Sequence, residues 1–224
     1  TGRSEAGKAL GDVFPHLSSL GLTIQPEIEE SVDVVFSALP HKTSATICAP
    51  LLESGVKVID ISADFRLKNF GEYEEWYDVK HPCPEYLSEA VYGLTELHRD
   101  ELATTRLIAN PGCHATSAIL ALAPVVKAGI ITPDIIVDSK SGVSGAGRSL
   151  SIATHFSEAN ESVAAYATSG HRHLPEITQE LGLLSPASSP KVTFLPHLIP
   201  MTRGILSSCY APSRKKSYPQ VRGE

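Results

Sequence analysis

The sequence contains no long apolar run, and it begins with polar residues. A helix that crosses a bilayer needs about 18 or more consecutive apolar residues. The opening segment, Thr1–Glu5, also lacks the charged and apolar parts of a signal peptide. We therefore expect a cytoplasmic protein with no membrane partner.

Cysteine is also scarce. The four cysteines stand far apart, at positions 48, 83, 113 and 209. None belongs to a Cys-x-x-Cys pair or has the spacing of a zinc site. We therefore expect reduced thiols and no metal centre.

Clustered positive charge is nearly absent. The formal net charge is -6, and the basic cluster from Arg214 to Lys216 is short. Proteins that bind nucleic acid normally present a broad basic face. The sequence therefore predicts no nucleic-acid partner.

A G-x-G-x-x-G loop is missing, although the first half of the chain has the pattern of a dinucleotide-binding fold. Apolar, β-rich runs at 32–37 and 56–61 flank a helical pattern at 43–53, which predicts a βαβ unit of a parallel sheet. We expect residues 1–111 to form a Rossmann-type domain of the α/β class without its amino-terminal glycine loop. The abrupt start and the polar end also lead us to expect a partial chain.

The second half has longer alternating or β-branched runs, which predict a mixed or antiparallel sheet. A helix is expected over 175–183, with Pro175 in its first turn. We expect residues 112–224 to form an α+β domain. Its predicted strands are 134–140, 162–168, 191–198 and 204–210.

Cys113 stands between a predicted strand at 106–109 and a predicted helix at 114–128, which Pro124 should bend or shorten. The positive end of a helix dipole stabilises a thiolate, so this position predicts a lowered pKa and a nucleophilic sulfur. The alternative is a small apolar side chain packed in a core. Gly112, the strand-to-helix turn and the histidines at 171 and 173 favour the nucleophile.

His171 and His173 occur in the motif GHRHLPE, which also contains Glu176. A thiol nucleophile needs a group that exchanges protons near neutral pH, and histidine has a suitable pKa. A carboxylate such as Glu176 could orient the ring. The alternatives are a surface histidine pair and a metal site that also uses Cys209.

Several loops have residues suited to anionic ligands. The glycine-rich turn from Ser141 to Arg148 could cradle a phosphate or a nicotinamide. Arginine binds carboxylate and phosphate in a bidentate manner, which points to Arg66, Arg148 and Arg203. Arg3 and Ser4 follow what resembles the second strand of a dinucleotide-binding fold, where an Arg-Ser pair favours NADP over NAD. Residues 37–41 follow the carboxyl end of another strand, where dinucleotides bind in such sheets.

Taken together, the motifs resemble those of the N-acetyl-gamma-glutamyl-phosphate reductase family. The blocks that carry the resemblance are residues 3–8, SALPH at 37–41, SADFRL at 62–67, YGLTEL at 92–97, NPGCHAT at 110–116, SGVSGAGR at 141–148, GHRHLPEI at 170–177 and PHLIPMTRGI at 196–205. They cover nearly the whole chain.

The resemblance implies an enzyme in which Cys113 is the nucleophile and His171 the acid/base, with His173 and Glu176 in support. It implies NADP(H) as the cofactor, an acyl phosphate substrate, release of phosphate and a homo-oligomer, either a dimer or a tetramer. It also implies a carboxyl-terminal return segment, which is missing here. The predicted cofactor-binding residues are Arg3, Ser4, Ser37, Leu39, Pro40, Ser144 and Gly145. The predicted substrate-binding residues are Arg66, Asn110, Ser141, Arg148 and Arg203.

In the implied reaction, the Cys113 thiolate displaces phosphate from the acyl phosphate, and NADPH reduces the thioester to a semialdehyde. Two related activities remain open, those of an aminoadipyl-phosphate reductase and an aspartate-semialdehyde dehydrogenase. An alternative of another class is a non-catalytic remnant that acts as a binding protein.

Overall fold

The structure, a computed structural model, describes residues 3–28, 31–147, 149–185 and 189–214. The chain divides into two compact units, Thr1–Val35 and Phe36–Glu224. In the described residues, no helix is both long and apolar enough to span a membrane.

Fifteen helices and strands organise the described residues, besides short 3₁₀ turns. The helices are α1 Leu10–Val13, α2 Ser44–Glu53, α3 Phe70–Tyr77, α4 Thr95–Thr104, α5 Cys113–Lys127, α6 Phe156–Ala159 and α7 His173–Leu184. The strands are β1 Val34–Ser37, β2 Lys57–Asp60, β3 Val91–Tyr92, β4 Leu107–Ala109, β5 Asp134–Ser141, β6 Ala164–Ala165, β7 Lys191–Leu198 and β8 Ile205–Tyr210.

The smaller unit is built from α1 and short 3₁₀ helices at Arg3–Glu5 and Pro15–Leu20. An isolated antiparallel β-bridge pairs Ala9, just before α1, with Thr23, just after the second 3₁₀ helix. Gly21 ends the second 3₁₀ helix with a φ of 62°, a left-handed conformation that glycine adopts without strain.

The first sheet has the strand order β1-β2-β4-β3, and β2, β4 and β3 run parallel. This confirms the predicted parallel sheet of an α/β fold. Val58 and Leu107, which are partners in adjacent strands, are both fully buried. The sequence did not predict β3 or α4, because β3 has only two residues and α4 is mostly polar.

Residues 62–88, between β2 and β3, contain α3 and a 3₁₀ helix, Pro84–Ser88. Asn69 caps α3 by accepting hydrogen bonds from the backbone N–H of Gly71 at 2.9 Å and of Glu72 at 3.3 Å. A side-chain oxygen at this position satisfies amide groups that the helix leaves unpaired.

The second sheet is mixed, as predicted, with the order β6-β7-β5-β8. Strand β5 is parallel to β7 and antiparallel to β8. The strand predicted at 162–168 is reduced to β6, Ala164–Ala165, which pairs with the end of β7. Helices α5 and α7 contribute Ile119, Leu122 and Ile177 to the core beside this sheet.

Two helices differ from their predicted bounds. Helix α5 begins at Cys113 and continues for three residues beyond Pro124. A proline in the last turn is tolerated there, and Gly129, with a φ of 65°, follows the helix end. Helix α7 begins at His173, two residues before the predicted start, which places both His173 and Glu176 in its first turn.

A buried ionic cluster joins α4 to α7. The His98 ring contacts Glu101 Oε1 through Nδ1 and Glu180 Oε2 through Nε2, both at 2.9 Å. Glu180 is 1% exposed. Burial opposes the charged imidazolium, but the two carboxylates outweigh it and raise the pKa of His98.

The stability that His98 contributes should therefore depend on pH. A raised folded pKa adds stability that is complete below about pH 6.5, the unfolded value, and that is lost as the pH rises through the folded value. We expect His98→Gln to destabilise the protein by about 2 kcal/mol at pH 6, since Glu180 loses its charged partner. Urea unfolding at pH 6 and pH 8.5 should show a smaller difference between wild type and variant at the higher pH. A constant or growing difference would contradict this account.

Candidate active site

A cavity of about 910 Å³ lies in the larger unit and contains most of the predicted reactive groups. Asn110, Pro111 and Gly112 form its wall where β4 leads into α5. The cavity is also lined by His41, Arg66, Tyr77, Cys113, His114, Ser141, Gly145, Glu158, Tyr166, His171, Arg172 and His173. The predicted nucleophile, both predicted histidines and three of the five predicted substrate-binding residues thus line a single cavity.

Cys113 is the first residue of α5, one residue before the predicted start of that helix, and it is exposed in the cavity. The predicted lowering of its pKa is wrong for this structure. Loss of bulk water around the sulfur raises the pKa of Cys113, and the N–H groups of His114 and Cys113 and the charge of Arg66 offset this only in part. The thiol is accessible, but it needs a base to become a thiolate at neutral pH.

Three histidine rings cluster beside the thiol-bearing helix end. The ring centroid of His114 lies 5.7 Å from those of His171 and His173, which are 4.7 Å apart. Burial lowers the pKa of His114 and of His171 to about 4 and that of His173 to about 2. All three rings are therefore neutral at pH 7, so each has one ring nitrogen without a proton.

The hydrogen bonds of the cluster restrict the tautomers. The backbone N–H of His173 donates to Nδ1 of His171 at 3.1 Å, so the proton of neutral His171 lies on Nε2. Nδ1 of His173 is buried and has no hydrogen-bond partner among the described residues. The pair thus offers a ring N–H donor on His171. On His173, no hydrogen bond determines which ring nitrogen carries the proton.

His114 and Tyr166 belong to the cavity although the sequence did not single them out. His114 contacts the hydroxyl oxygens of Ser139 at 2.7 Å and of Tyr166 at 2.9 Å. His114 directly follows Cys113 in the NPGCHAT block, so its place in the motif was the available signal. Tyr166 lies between β6 and α7, and no local pattern marks it.

Glu176 lies behind the nucleophile rather than in the cavity, and it is 1% exposed. Its Oε1 accepts hydrogen bonds from the backbone N–H of Gly112 and from the Tyr92 hydroxyl, both at 2.6 Å. Its Oε2 lies 3.5 Å from Nη1 of Arg66. Burial raises the pKa of Glu176, and Arg66 opposes the increase. The predicted role of orienting a histidine is not what these contacts show; the carboxylate holds the backbone that precedes Cys113.

The guanidinium nitrogens of Arg66 all face other groups of the protein. Its Nε donates to the carbonyl of Asn110 at 2.7 Å, and Nη2 donates to the carbonyl of Ile61 at 2.8 Å. The third nitrogen faces Glu176, and the side chain is 6% exposed. Arg66 lines the cavity, but its hydrogen bonds and its ion pair mainly hold the Asn110–Gly112 turn in place.

Two buried carboxylates hold the loop after β2. Asp60 accepts from the hydroxyls of Ser44 at 2.6 Å and Ser62 at 2.7 Å. Asp64 accepts from the N–H of Ala45 at 3.0 Å and from the Tyr73 hydroxyl at 2.9 Å. Asp64 belongs to the SADFRL block, but no local sequence pattern predicts a role for Asp64 or Asp60.

The predicted cofactor-binding residues are spread over both units. In the larger unit, Ser37 ends β1 and contacts Ser44 Oγ at 2.7 Å, while Leu39 and Pro40 begin the loop to α2. Gly145 lines the cavity, whereas Ser144 does not. Arg3 and Ser4 belong to the smaller unit, where Ser4 is exposed.

The predicted substrate-binding residues have different positions. Asn110 and Ser141 line the cavity together with Arg66. Arg203 is exposed and does not line it. Arg148 lies outside the described residues. Within the described ranges, no group of three His, Cys, Asp or Glu side chains could hold a metal ion.

Family models match both parts of the chain. Residues 1–105 match the semialdehyde dehydrogenase NAD binding domain, and residues 113–222 match the semialdehyde dehydrogenase dimerisation domain. The chain belongs to the semialdehyde dehydrogenase family.

Similar proteins confirm the resemblance within this family. The N-acetyl-gamma-glutamyl-phosphate reductase of Dehalococcoides mccartyi is 57% identical over 211 residues, covering 94% of this chain and 62% of that protein. The reductase of the same name from Pelotomaculum thermopropionicum is 53% identical over 217 residues, covering 94% of this chain and 62% of that protein. The chain therefore spans less than two thirds of the length of these relatives.

Solved structures show the fold of the family. Aspartate semialdehyde dehydrogenase II from Vibrio cholerae has a TM-score of 0.65 at 17% identity, covering 96% of this chain and 65% of that chain. Aspartate semialdehyde dehydrogenase from Candida albicans, solved with NADP, has a TM-score of 0.65 at 14% identity, covering 98% of this chain and 64% of that chain. The α/β fold of the semialdehyde dehydrogenases is thus confirmed.

The contact between Gly112 and α7 can be tested by adding one methyl group. A Cβ at residue 112 would lie 2.5 Å from Nε2 of His173 and 2.8 Å from Oε2 of Glu176. We expect Gly112→Ala to lower the free energy of unfolding by about 1–3 kcal/mol through overpacking. Gly182→Ala is the matched control, because its nearest neighbour would be Pro190 Cδ at 3.7 Å. In the helix this control should stabilise by about 0.5–1 kcal/mol. Equal effects in urea unfolding would refute the predicted contact.

The raised pKa of Cys113 can be tested by alkylation. Only the thiolate reacts with iodoacetamide, so the rate follows the thiolate fraction. We expect the rate at Cys113, followed by mass spectrometry of its peptide, to keep rising about tenfold per pH unit up to at least pH ~8.5, the value of a free thiol. A plateau below pH 7 would show that the helix end outweighs burial.

Proposed function

We propose that the full-length protein reduces N-acetyl-gamma-glutamyl phosphate to N-acetylglutamate 5-semialdehyde and phosphate. One observation carries the proposal: the Cys113 thiol opens into a cavity beside three histidines that are neutral at pH 7. A thiol beside a neutral imidazole suits acyl transfer through a thioester, because the ring is an adjacent base for the thiol proton. The relatives that share 57% and 53% of their aligned residues with this chain support the choice of substrate.

The proposed chemistry begins with the thiol proton. The ring of His173 accepts this proton, because in His171 Nε2 already carries the ring proton and Nδ1 already accepts a hydrogen bond. The sulfur then attacks the acyl carbon. A C–S bond forms, the C–O bond to phosphate breaks, and phosphate leaves with the electron pair. The N–H on Nε2 of His171 can donate to the oxyanion of the tetrahedral intermediate. When the C–S bond breaks later, the semialdehyde leaves and the sulfur recovers its electron pair.

NADP(H) is the proposed cofactor, and it supplies the hydride that brings the acyl group to the aldehyde level when it is bound. The residues proposed to hold it in the larger unit are Ser37, Leu39, Pro40, Ser144 and Gly145. Gly145 lines the cavity, and a Cβ there would lie only 2.8 Å from Ser141 Oγ, so the turn packs without a side chain at this position. Arg3 and Ser4 are proposed for the 2′-phosphate.

The proposed domain organisation follows the family models. Residues 1–111 are proposed as the nucleotide-binding domain and residues 112–224 as the catalytic and dimerisation domain. We further propose a homo-oligomer, a dimer or a tetramer, that works in the cytoplasm. The match of residues 113–222 to a dimerisation domain supports the oligomer.

Turnover tests the proposal in the reverse direction. The full-length protein should form NADPH, followed by absorbance, from N-acetylglutamate 5-semialdehyde, NADP⁺ and phosphate. Cys113→Ser should lower kcat at least about 10³-fold, as expected for loss of a nucleophile. Cys209→Ser is the control, because this half-buried thiol does not line the cavity. Turnover of aspartate semialdehyde alone, or an active Cys113→Ser variant, would sink the proposal.

A further inference from the structure

Two arginines line the cavity in the part of the chain that the structure describes, and their guanidinium groups differ in what they already bind. Arg66 is buried, and its nitrogens face two backbone carbonyls and Glu176. Arg172 is exposed, and among the described residues its side chain makes no hydrogen bond or ion pair. Of the two arginines that line the cavity in the described ranges, Arg172 is therefore the one whose guanidinium has free donors for a bound molecule.

Arg172 is nevertheless held in place. Its guanidinium carbon lies 5.3 Å from the ring centroid of Tyr77, a cation–π contact. Tyr77 is 4% exposed and stacks on Tyr73 with the ring centroids 4.7 Å apart. The arginine thus rests on a rigid aromatic surface, which reduces the entropy that it would lose on binding a ligand.

The position of Arg172 is unfavourable for the protein alone. It is the residue that caps the amino terminus of α7. A helix amino terminus carries partial positive charge, so a cation there is destabilising unless an anion is present. Glu158 is the carboxylate that lines the cavity in the described part of the chain, but it forms no ion pair with Arg172. An anionic ligand would remove this electrostatic cost.

We propose that Arg172 binds an oxyanion group of the substrate, either its α-carboxylate or its phosphate, and so sets specificity. This inference rests on the proposed function, since an N-acetylated acyl phosphate of glutamate carries both anions. A planar guanidinium can hold either group through two parallel hydrogen bonds.

Protection of Cys113 against iodoacetamide tests binding without turnover. The probes are inorganic phosphate and N-acetyl-L-glutamate, each titrated against the full-length protein. Arg172→Gln should raise the half-protective concentration of one or both probes about tenfold or more, as expected for loss of a charge-assisted hydrogen bond. Arg172→Lys keeps the charge but not the planar fork, so its increase should be smaller. Arg99→Gln is the control, because Arg99 is an exposed residue of α4 that does not line the cavity, and this variant should behave as wild type.

The arms of the experiment separate the two anions. A shift for phosphate alone assigns Arg172 to the phosphate, and a shift for N-acetyl-L-glutamate alone assigns it to the α-carboxylate. In turnover, the KM of the matching substrate should rise by the same factor, with kcat within about threefold, since a binding contact shared by ground and transition states changes mainly KM.

Three results would overturn the proposal: no protection of the wild type by either probe, no shift in Arg172→Gln, or an increase confined to the KM of NADP⁺. Failure of the proposed function has a different signature. Protection that depends on Arg172 in a protein without semialdehyde dehydrogenase activity would reject the reaction and keep the anion site.

Discussion

The carboxylate of Glu176 connects α7 to the first sheet and to the turn from which the reactive sulfur begins its helix. Its oxygens contact the Gly112 N–H, the Tyr92 hydroxyl and the Arg66 guanidinium, which come from three separate stretches of chain. Removing one partner from such a buried pair typically costs about 3–5 kcal/mol. The position of Cys113 relative to the histidines of α7 therefore depends on this one anion.

The electrostatics of the cavity follow from burial. Desolvation keeps the three histidines neutral and the Cys113 thiol protonated, so none of these four reactive groups is charged at rest. A site of this kind suits a reaction in which an anionic substrate arrives and a proton must move before sulfur attacks. The helix end contributes N–H groups, but these alone do not lower the pKa of Cys113 below its usual value.

Sequence patterns predicted the parallel sheet, the mixed sheet and the placement of Cys113 at a helix start, because each depends on local periodicity and glycine or proline signals. The same patterns did not reveal the role of Glu176. Its contact with Gly112 spans 64 residues of chain, and only tertiary packing makes it. Arg66 and Arg172 show the same limit: both are arginines in loops, yet folding uses the donors of one and leaves those of the other free.

The central claim is that Cys113 carries the acyl group. The most direct measurement is to incubate the full-length protein with N-acetyl-gamma-glutamyl phosphate in the absence of NADPH, digest it and locate any acyl adduct by mass spectrometry. We predict one hydroxylamine-sensitive adduct, on the peptide that contains Cys113. An adduct on another residue, or phosphate release without any adduct, would contradict the account.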